Sequence, residues 1–178
     1  MAALALALPA IVYAETAGVF FDPDVAQIKF AAGDVKSALE KNKCTVEMLP
    51  VASLNASYPN KKVVVALASN TAVSAVLAAQ GGNKVAGLGE QAYGLRTTET
   101  AQKSYWALGG DANGAMYGGL RLAENIRFEQ FSRAYNTEES PAILKRGIKL
   151  NLPFDKNSAT YPSSNKSTAT KMAIPNVW

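Results

Sequence analysis

Few side chains of this 178-residue chain could carry chemistry. There is no histidine and one cysteine, Cys44. That removes Ser-His-Asp and Cys-His nucleophile systems, imidazole metal sites, thiolate clusters and intrachain disulfides. Two carboxylate pairs remain, Asp22 with Asp24 and Glu138 with Glu139. Paired carboxylates flanking a scissile bond are the machinery of glycoside hydrolysis, but they must be held on rigid elements. The first pair falls in a turn and the second in a linker, so both read as solvated loop charge. The sequence assigns no catalytic residue, no metal site and no cofactor.

Two glycine-rich segments invite a phosphate reading. Gly87-Leu88-Gly89-Glu90-Gln91-Ala92 has the GxGxxA form, with Asp111 near the distance of a ribose-binding carboxylate. A dinucleotide loop needs a helix N-terminus directly after the glycines. Here the strand-like Tyr93-Gly94-Leu95-Arg96-Thr97-Thr98 follows, which predicts a turn into a hairpin. Gly109 to Gly119 opens a helix but lacks the lysine or Ser/Thr of a phosphate loop. Its glycines are expected to let that helix approach the sheet, with Asp111 as the cap.

The elements around these residues follow from periodicity. Gly18 to Phe21 reads as a strand and Asp22-Pro23-Asp24 as a turn. Val25, Ile28, Ala32, Val35 and Leu39 share one helix face, with Asp24 and Gln27 in capping-box spacing and Gly33 as a weak point. Thr45 to Val51 reads as the next strand. Val63 to Ala68 is the continuous β-branched run of a strand buried on both faces. Ser69 or Asn70 caps a helix carrying Val73, Val76 and Leu77, closed by Gly81-Gly82. Gln91 to Thr98 and Ser104 to Leu108 predict an antiparallel hairpin. The last helix spans about Ala112 to Phe128, with Met116, Leu120, Ala123 and Ile126 on one face. The expected fold class is α+β: a mixed sheet of about five strands with about three helices packed on it. An orphan strand (Ile148, Leu150, Leu152) and a polar tail follow.

Charge divides the chain. Its formal net charge is +4, made of −1 up to Ser140 and +5 from Pro141 onward, so the basicity belongs to a polar C-terminal segment. Nucleic acid is therefore not an expected partner. Met1 to Ala14 is an apolar run ending in Val12-Tyr13-Ala14, which resembles a signal-peptide h-region and cleavage site without its positive n-region. It is too short to span a membrane. The alternative is a buried N-terminal segment. The expected organisation is a signal peptide over 1–14, an α+β domain over 15–140, and a linker with the start of a further domain over 141–178. The expected location is secreted or periplasmic. Asn55-Ala56-Ser57 and Asn165-Lys166-Ser167 match the glycosylation sequon.

Taken together, Glu90-Gln91-Ala92-Tyr93-Gly94-Leu95, Tyr105-Trp106-Ala107-Leu108-Gly109-Gly110 and Gly114-Ala115-Met116-Tyr117-Gly118-Gly119-Leu120-Arg121-Leu122-Ala123 resemble the N-terminal α+β domain of β-hexosaminidases and α-glucuronidases. In those glycoside hydrolases a strand, its hairpin partner and a helix with these motifs precede a (β/α)₈ catalytic barrel. Lys145-Arg146-Gly147-Ile148-Lys149-Leu150-Asn151 resembles the first barrel strand. The resemblance implies that the catalytic carboxylates lie on later barrel strands, missing from this chain, and that Arg146 contacts the sugar of a glycan substrate. Asn151 stands where the hexosaminidase branch has aspartate. The implied partner is the barrel in cis, and the chain is expected to stop after that barrel's first strand. The alternative is a freestanding secreted module that binds a glycan or a protein.

Overall fold

The computed structural model describes residues 15–128 and 134–143. The expected signal peptide, Arg146, the strand Ile148 to Leu152, the polar tail and the second sequon lie outside the described residues.

Six strands form one mixed sheet: β1 (Thr16–Phe21), β2 (Thr45–Pro50), β3 (Lys61–Leu67), β4 (Tyr93–Glu99), β5 (Lys103–Gly109) and β6 (Asn136–Glu139). Their spatial order is β2-β1-β3-β5-β4-β6. The first four of that order run parallel, while β4 is antiparallel to both β5 and β6. Three helices cover the sheet, α1 (Ala26–Lys41), α2 (Thr71–Ala79) and α3 (Ala112–Arg127). The α+β mixed sheet expected from the sequence is the fold, with one strand more than expected.

Strand β3 shows why both faces must be covered. Val63, Val64 and Val65 are fully buried. Successive side chains point to opposite faces, so Val63 and Val65 join Ile28, Val35, Leu122 and Ile126 beneath α1 and α3. Val64 and Ala66 join Val73, Leu77 and Trp106 beneath α2. The β2–β3 crossover has no helix. A 3-10 turn, Val51–Ser53, leads into a loop that lays Leu54 and Tyr58 on the α2 side. The Tyr58 ring stands edge-on to Phe20, with centroids 5.2 Å apart. A Cβ on Gly18 would come within 2.7 Å of the Tyr58 hydroxyl, so β1 needs glycine where this loop crosses it.

On the other face, α3 approaches through its glycines. A Cβ on Gly114 would stand 2.2 Å from the Ala92 carbonyl oxygen, and one on Gly119 would stand 2.8 Å from the Ala31 Cβ of α1. The close approach through glycine and the burial of Ala123 and Ile126 are as expected, while Met116 and Leu120 are displaced from the expected face. The buried residues are Gly114, Ala115, Gly118, Gly119, Leu122, Ala123, Asn125 and Ile126, and Met116 and Leu120 sit half-buried at the margin. Apolar periodicity looks for large side chains, whereas close approach selects the stripe that has none.

The helix ends offer three confirmations and a correction. Asn70 accepts the Val73 amide at 3.2 Å and Asp111 accepts the Gly114 amide at 2.6 Å, as N-caps. The Asp24–Gln27 capping box does not form. Val25 is the N-cap of α1, without a side-chain bond, because the preceding turn engages Asp24, whose amide donates to Asp22 Oδ1 at 3.0 Å. The Gly81-Gly82 stop holds: Gly81 has φ +74° and the Gly82 amide donates to the Leu77 carbonyl at 2.9 Å.

The glycine stripe predicts opposite outcomes for two equally small changes. Gly114→Ala should lower stability by roughly 1–3 kcal/mol, since helix and β4 must separate. Gly33→Ala, where an added Cβ meets nothing within 4 Å, should raise it by about 0.5–1 kcal/mol. Urea denaturation of both variants checks this, and a neutral Gly114→Ala would remove the close-approach account.

Candidate functional site

The structure separates the carboxylates that spacing brought together. Glu138 and Glu139 lie on β6, which makes an edge strand of a segment expected to be linker and corrects their reading as solvated loop charge. Adjacent strand residues face opposite sides, so this pair cannot flank one bond. Glu138 is held by Arg96 in an ion pair. Glu139 accepts the Tyr93 hydroxyl at 2.5 Å, and burial, more than this bond, pushes the Tyr93 phenol above its ordinary range. Asp22 and Asp24 share the turn after β1 as expected, joined by the bond that replaces the capping box.

The glycine segments satisfy each other and leave no phosphate cradle between them. Asp111 caps α3 through Oδ1, and its Oδ2 accepts the Gln91 amide at 3.1 Å. The Gly110 amide donates to the Ala92 carbonyl at 2.9 Å. Gly87 and Gln91 have φ of +72° and +58°, and β4 begins directly after this turn. The turn-into-hairpin reading is therefore the observed one, and the carboxylate at ribose-like spacing is a structural clamp.

Two buried cations escaped sequence reasoning. Arg96 is 5% exposed and donates to the carbonyls of Asn83, Leu95 and Thr137 besides pairing with Glu138. It thereby ties the loop after α2 to the β6 edge. Lys62 is 1% exposed; its Nζ donates to the Ala56 carbonyl at 3.1 Å and reaches the Tyr58 carbonyl at 3.5 Å. No carboxylate pairs with it among the described residues. Gln80 donates to the same Ala56 carbonyl at 3.4 Å and accepts from Thr98 at 3.1 Å, and Thr98 accepts from Trp106 Nε1 at 3.1 Å. Ser104 lies beside Lys62 in the β3–β5 register; its buried Oγ has no partner among the described residues. The signal available was a lysine entering a β-branched run, which reads as a strand start unless its burial is known.

One crevice opens at the carboxyl ends of β1 and β3. The chain leaves β1 into α1 on one face and leaves β3 into α2 on the other. In parallel sheets this divergence is where ligands enter. The crevice holds about 220 Å³ and is lined by Asp22, Ile28, Val51, Ala66, Leu67, Ser69 and Asn70. Ile28, Val51, Ala66 and Leu67 make it largely apolar. Asp22 and Asn70 each use Oδ1 on a backbone amide, and with Ser69 they are the polar residues of the lining.

Other sequence-singled groups carry less. Ser57 donates to Asn55 Oδ1 at 3.1 Å in an exposed loop. Burial, with Glu15 adding to it, pushes the Cys44 thiol up, away from nucleophilic character. Among the described residues no group of three or more His, Cys, Asp or Glu could hold a metal, and no helix is long and apolar enough to cross a membrane.

No protein-family model matches the chain, and no curated protein matches it. Among solved structures it is similar to a GH138 enzyme targeting pectin rhamnogalacturonan II, at 16% identity and a TM-score of 0.47. The likeness covers 71% of this chain, and it spans 15% of the length of that enzyme.

Lys62 gives the fold a pH signature. Burial lowers its pKa from the ordinary 10.5, so in alkaline solution the unfolded chain holds a proton that the folded protein has released. Stability then rises with pH from the folded value up to about 10.5. Below the folded value both states are charged and the desolvation cost is felt in full. Urea denaturation at several alkaline pH values should show wild type gaining on Lys62→Met across that range. A difference that stays flat would mean that the ammonium is solvated.

Proposed function

We propose that this chain is the non-catalytic N-terminal accessory domain of a secreted glycoside hydrolase acting on a glycan. In this reading a (β/α)₈ barrel follows in the same polypeptide, and its later strands supply the general acid and the nucleophile or base. The observation that supports it best is the way the resembling segments fit one another. Tyr93-Gly94-Leu95 lies in β4, Tyr105 to Gly109 in β5, and Gly114 to Ala123 in α3. Each glycine at their junction has a steric reason. Gly109 would otherwise meet the Ala115 amide, Gly114 the Ala92 carbonyl and Gly118 the Tyr93 side chain. The motifs thus describe one packed unit, a hairpin with a helix laid upon it, as the resemblance requires. Strand β6 ends at Glu139, six residues before the segment that resembles the first barrel strand. The glycan in this reading is an amino sugar, a uronic acid or another sugar, since Asn151 departs from the hexosaminidase pattern and the resemblance does not choose among them.

The coding sequence beyond the Trp178 codon decides between accessory domain and freestanding module. An open frame that continues through alternating strands and helices is the expected result; a stop codon there sinks the proposal. The 178-residue chain itself should hydrolyse no aryl glycoside above the uncatalysed rate. Turnover that disappears on replacing one of its own carboxylates would overturn that.

Arg146 allows a sharper test in a protein that carries the barrel. A guanidinium donates a planar fork to vicinal hydroxyls, and lysine keeps the charge but loses the fork. Arg146→Lys should lower kcat/KM by the equivalent of roughly 1–3 kcal/mol with little change in Tm. Unchanged kinetics with reduced stability would make Arg146 a structural residue.

A further inference from the structure

We propose that Asn113 is a site of spontaneous covalent modification, deamidation through a succinimide, and that the Asp111 cap of α3 sets its rate. The proposal goes beyond the accessory-domain reading and does not depend on it.

The chemistry needs an asparagine followed by a residue that leaves its own amide nitrogen open to reaction. Asparagine is among the thermolabile residues, and glycine, with no Cβ, shields that nitrogen least. Asn113-Gly114 is the one Asn-Gly pair in the chain. The Gly114 nitrogen gives its proton to hydroxide and attacks Asn113 Cγ. The new C–N bond closes a five-membered succinimide; the Cγ–Nδ2 bond breaks, and the nitrogen takes a proton from water and leaves as ammonia. Water then opens the ring at either carbonyl, leaving aspartate or isoaspartate. Asn113 is exposed, and its side-chain amide has no partner among the described residues.

The fold holds both reacting groups back. Asn113 and Gly114 occupy the first turn of α3. Closing the ring turns the Asn113 backbone out of helical ψ, so that turn must open first. The Gly114 amide donates to Asp111 Oδ1 at 2.6 Å. This bond ties down the nitrogen, and the carboxylate charge beside it opposes the ionisation that attack requires. Asp111 is itself held, because its Oδ2 accepts the Gln91 amide at 3.1 Å. No other residue can relieve the position, since a Cβ on Gly114 would stand 2.2 Å from the Ala92 carbonyl oxygen. The glycine that packing demands is thus the glycine that makes Asn113 labile, and the cap restrains the reaction. Isoaspartate carries the main chain through its side chain, which adds a backbone carbon between residues 113 and 114 at a contact without slack.

The test is a time course on the full 178-residue chain in mildly alkaline buffer, read by mass spectrometry of the tryptic peptide 104–121, in which Asn113 is the sole asparagine. In urea Asn113 should deamidate ahead of the asparagines that no glycine follows, and in the folded chain it should react slowly. Folded Asp111→Ala should react roughly 2- to 30-fold faster than folded wild type, the factor by which losing an N-cap opens a first turn. Asp111→Ser restores a capping oxygen and should stay well below the rate in urea, which keeps the test open where the alanine variant does not fold. Leu77→Ala removes a core side chain on the opposite face of the sheet, so it should lower Tm without speeding the reaction well below its melting range. The isolated isoaspartyl form should melt below the intact chain. Folded wild type or folded Asp111→Ser reacting as fast as the chain in urea, Asp111→Ala reacting no faster than wild type, or Leu77→Ala reacting as fast as Asp111→Ala would each overturn the proposal. An isoaspartyl form that melts with the intact chain would overturn its effect on the α3–β4 contact.

Discussion

The distance between α3 and the start of β4 controls most of this fold. Gly114 touches the Ala92 carbonyl oxygen more closely than any side chain would allow, and Asp111 holds both sides of that contact through its two oxygens. An N-cap alone contributes about 0.5–2 kcal/mol; here the same carboxylate also closes the turn that aims the hairpin. Once α3 is fixed at this depth, Gly119 admits Ala31 and thereby brings α1 into contact. The two helices are then locked along their length, because Arg127 pairs with Asp34 and the Asn42 amide donates to the Ile126 carbonyl at 2.9 Å. A chain of contacts thus runs from one hairpin turn to the far edge of the sheet.

The opposite face follows a different logic. Only α2 covers it as a helix, and the area over β1 is covered by the loop after β2. A loop buries backbone carbonyls that no regular ladder satisfies, and each must find a donor. Lys62 supplies one, reaching the carbonyls of Ala56 and Tyr58, and Gln80 supplies another to Ala56. A buried ammonium is costly to desolvate, so its presence is explained by the carbonyls it satisfies. The crevice has the same origin. Because α1 and α2 depart to opposite faces, neither closes the gap between the ends of β1 and β3, and the polar residues that begin those connections are part of its lining.

How much of this was legible in the sequence depends on which force shaped each element. The β-branched run Val63 to Ala68, the hairpin and the Asp111 cap are written in local chemistry, and the structure has them where periodicity and capping put them. Strand β6 was not legible, since Asn136-Thr137-Glu138-Glu139 is polar and its four residues are all exposed. It exists because β4 offers an open edge and Arg96 and Tyr93 reach out to its two glutamates. No local signal carries that. Glycine density announced the close approach of α3, but the hydrophobic pattern put Met116 and Leu120 on a face where they are only marginal. Hydrophobic pattern encodes which side chains avoid water, not which backbone must come close to another. The crevice was invisible as well, because Asp22 and Ser69-Asn70 are far apart in sequence and meet only through strand order.

The division of charge acquires a structural meaning from these contacts. Up to Ser140 the acidic and basic residues nearly balance, and the described ion pairs show what several of them do. Lys61 with Glu15, Lys103 with Glu99 and Arg96 with Glu138 secure strand ends and edges, while Arg127 with Asp34 joins two helices. Pairs that reach the surface contribute little energy each; Lys61 and Arg96 bring a largely buried cation to an exposed glutamate, and all four fix geometry where the backbone would otherwise fray. Asp22 differs. Its Oδ1 accepts the Asp24 amide in the turn after β1, and no ion pair holds it among the described residues. Its role there is that of a hydrogen-bond acceptor that sets the exit of the chain from β1.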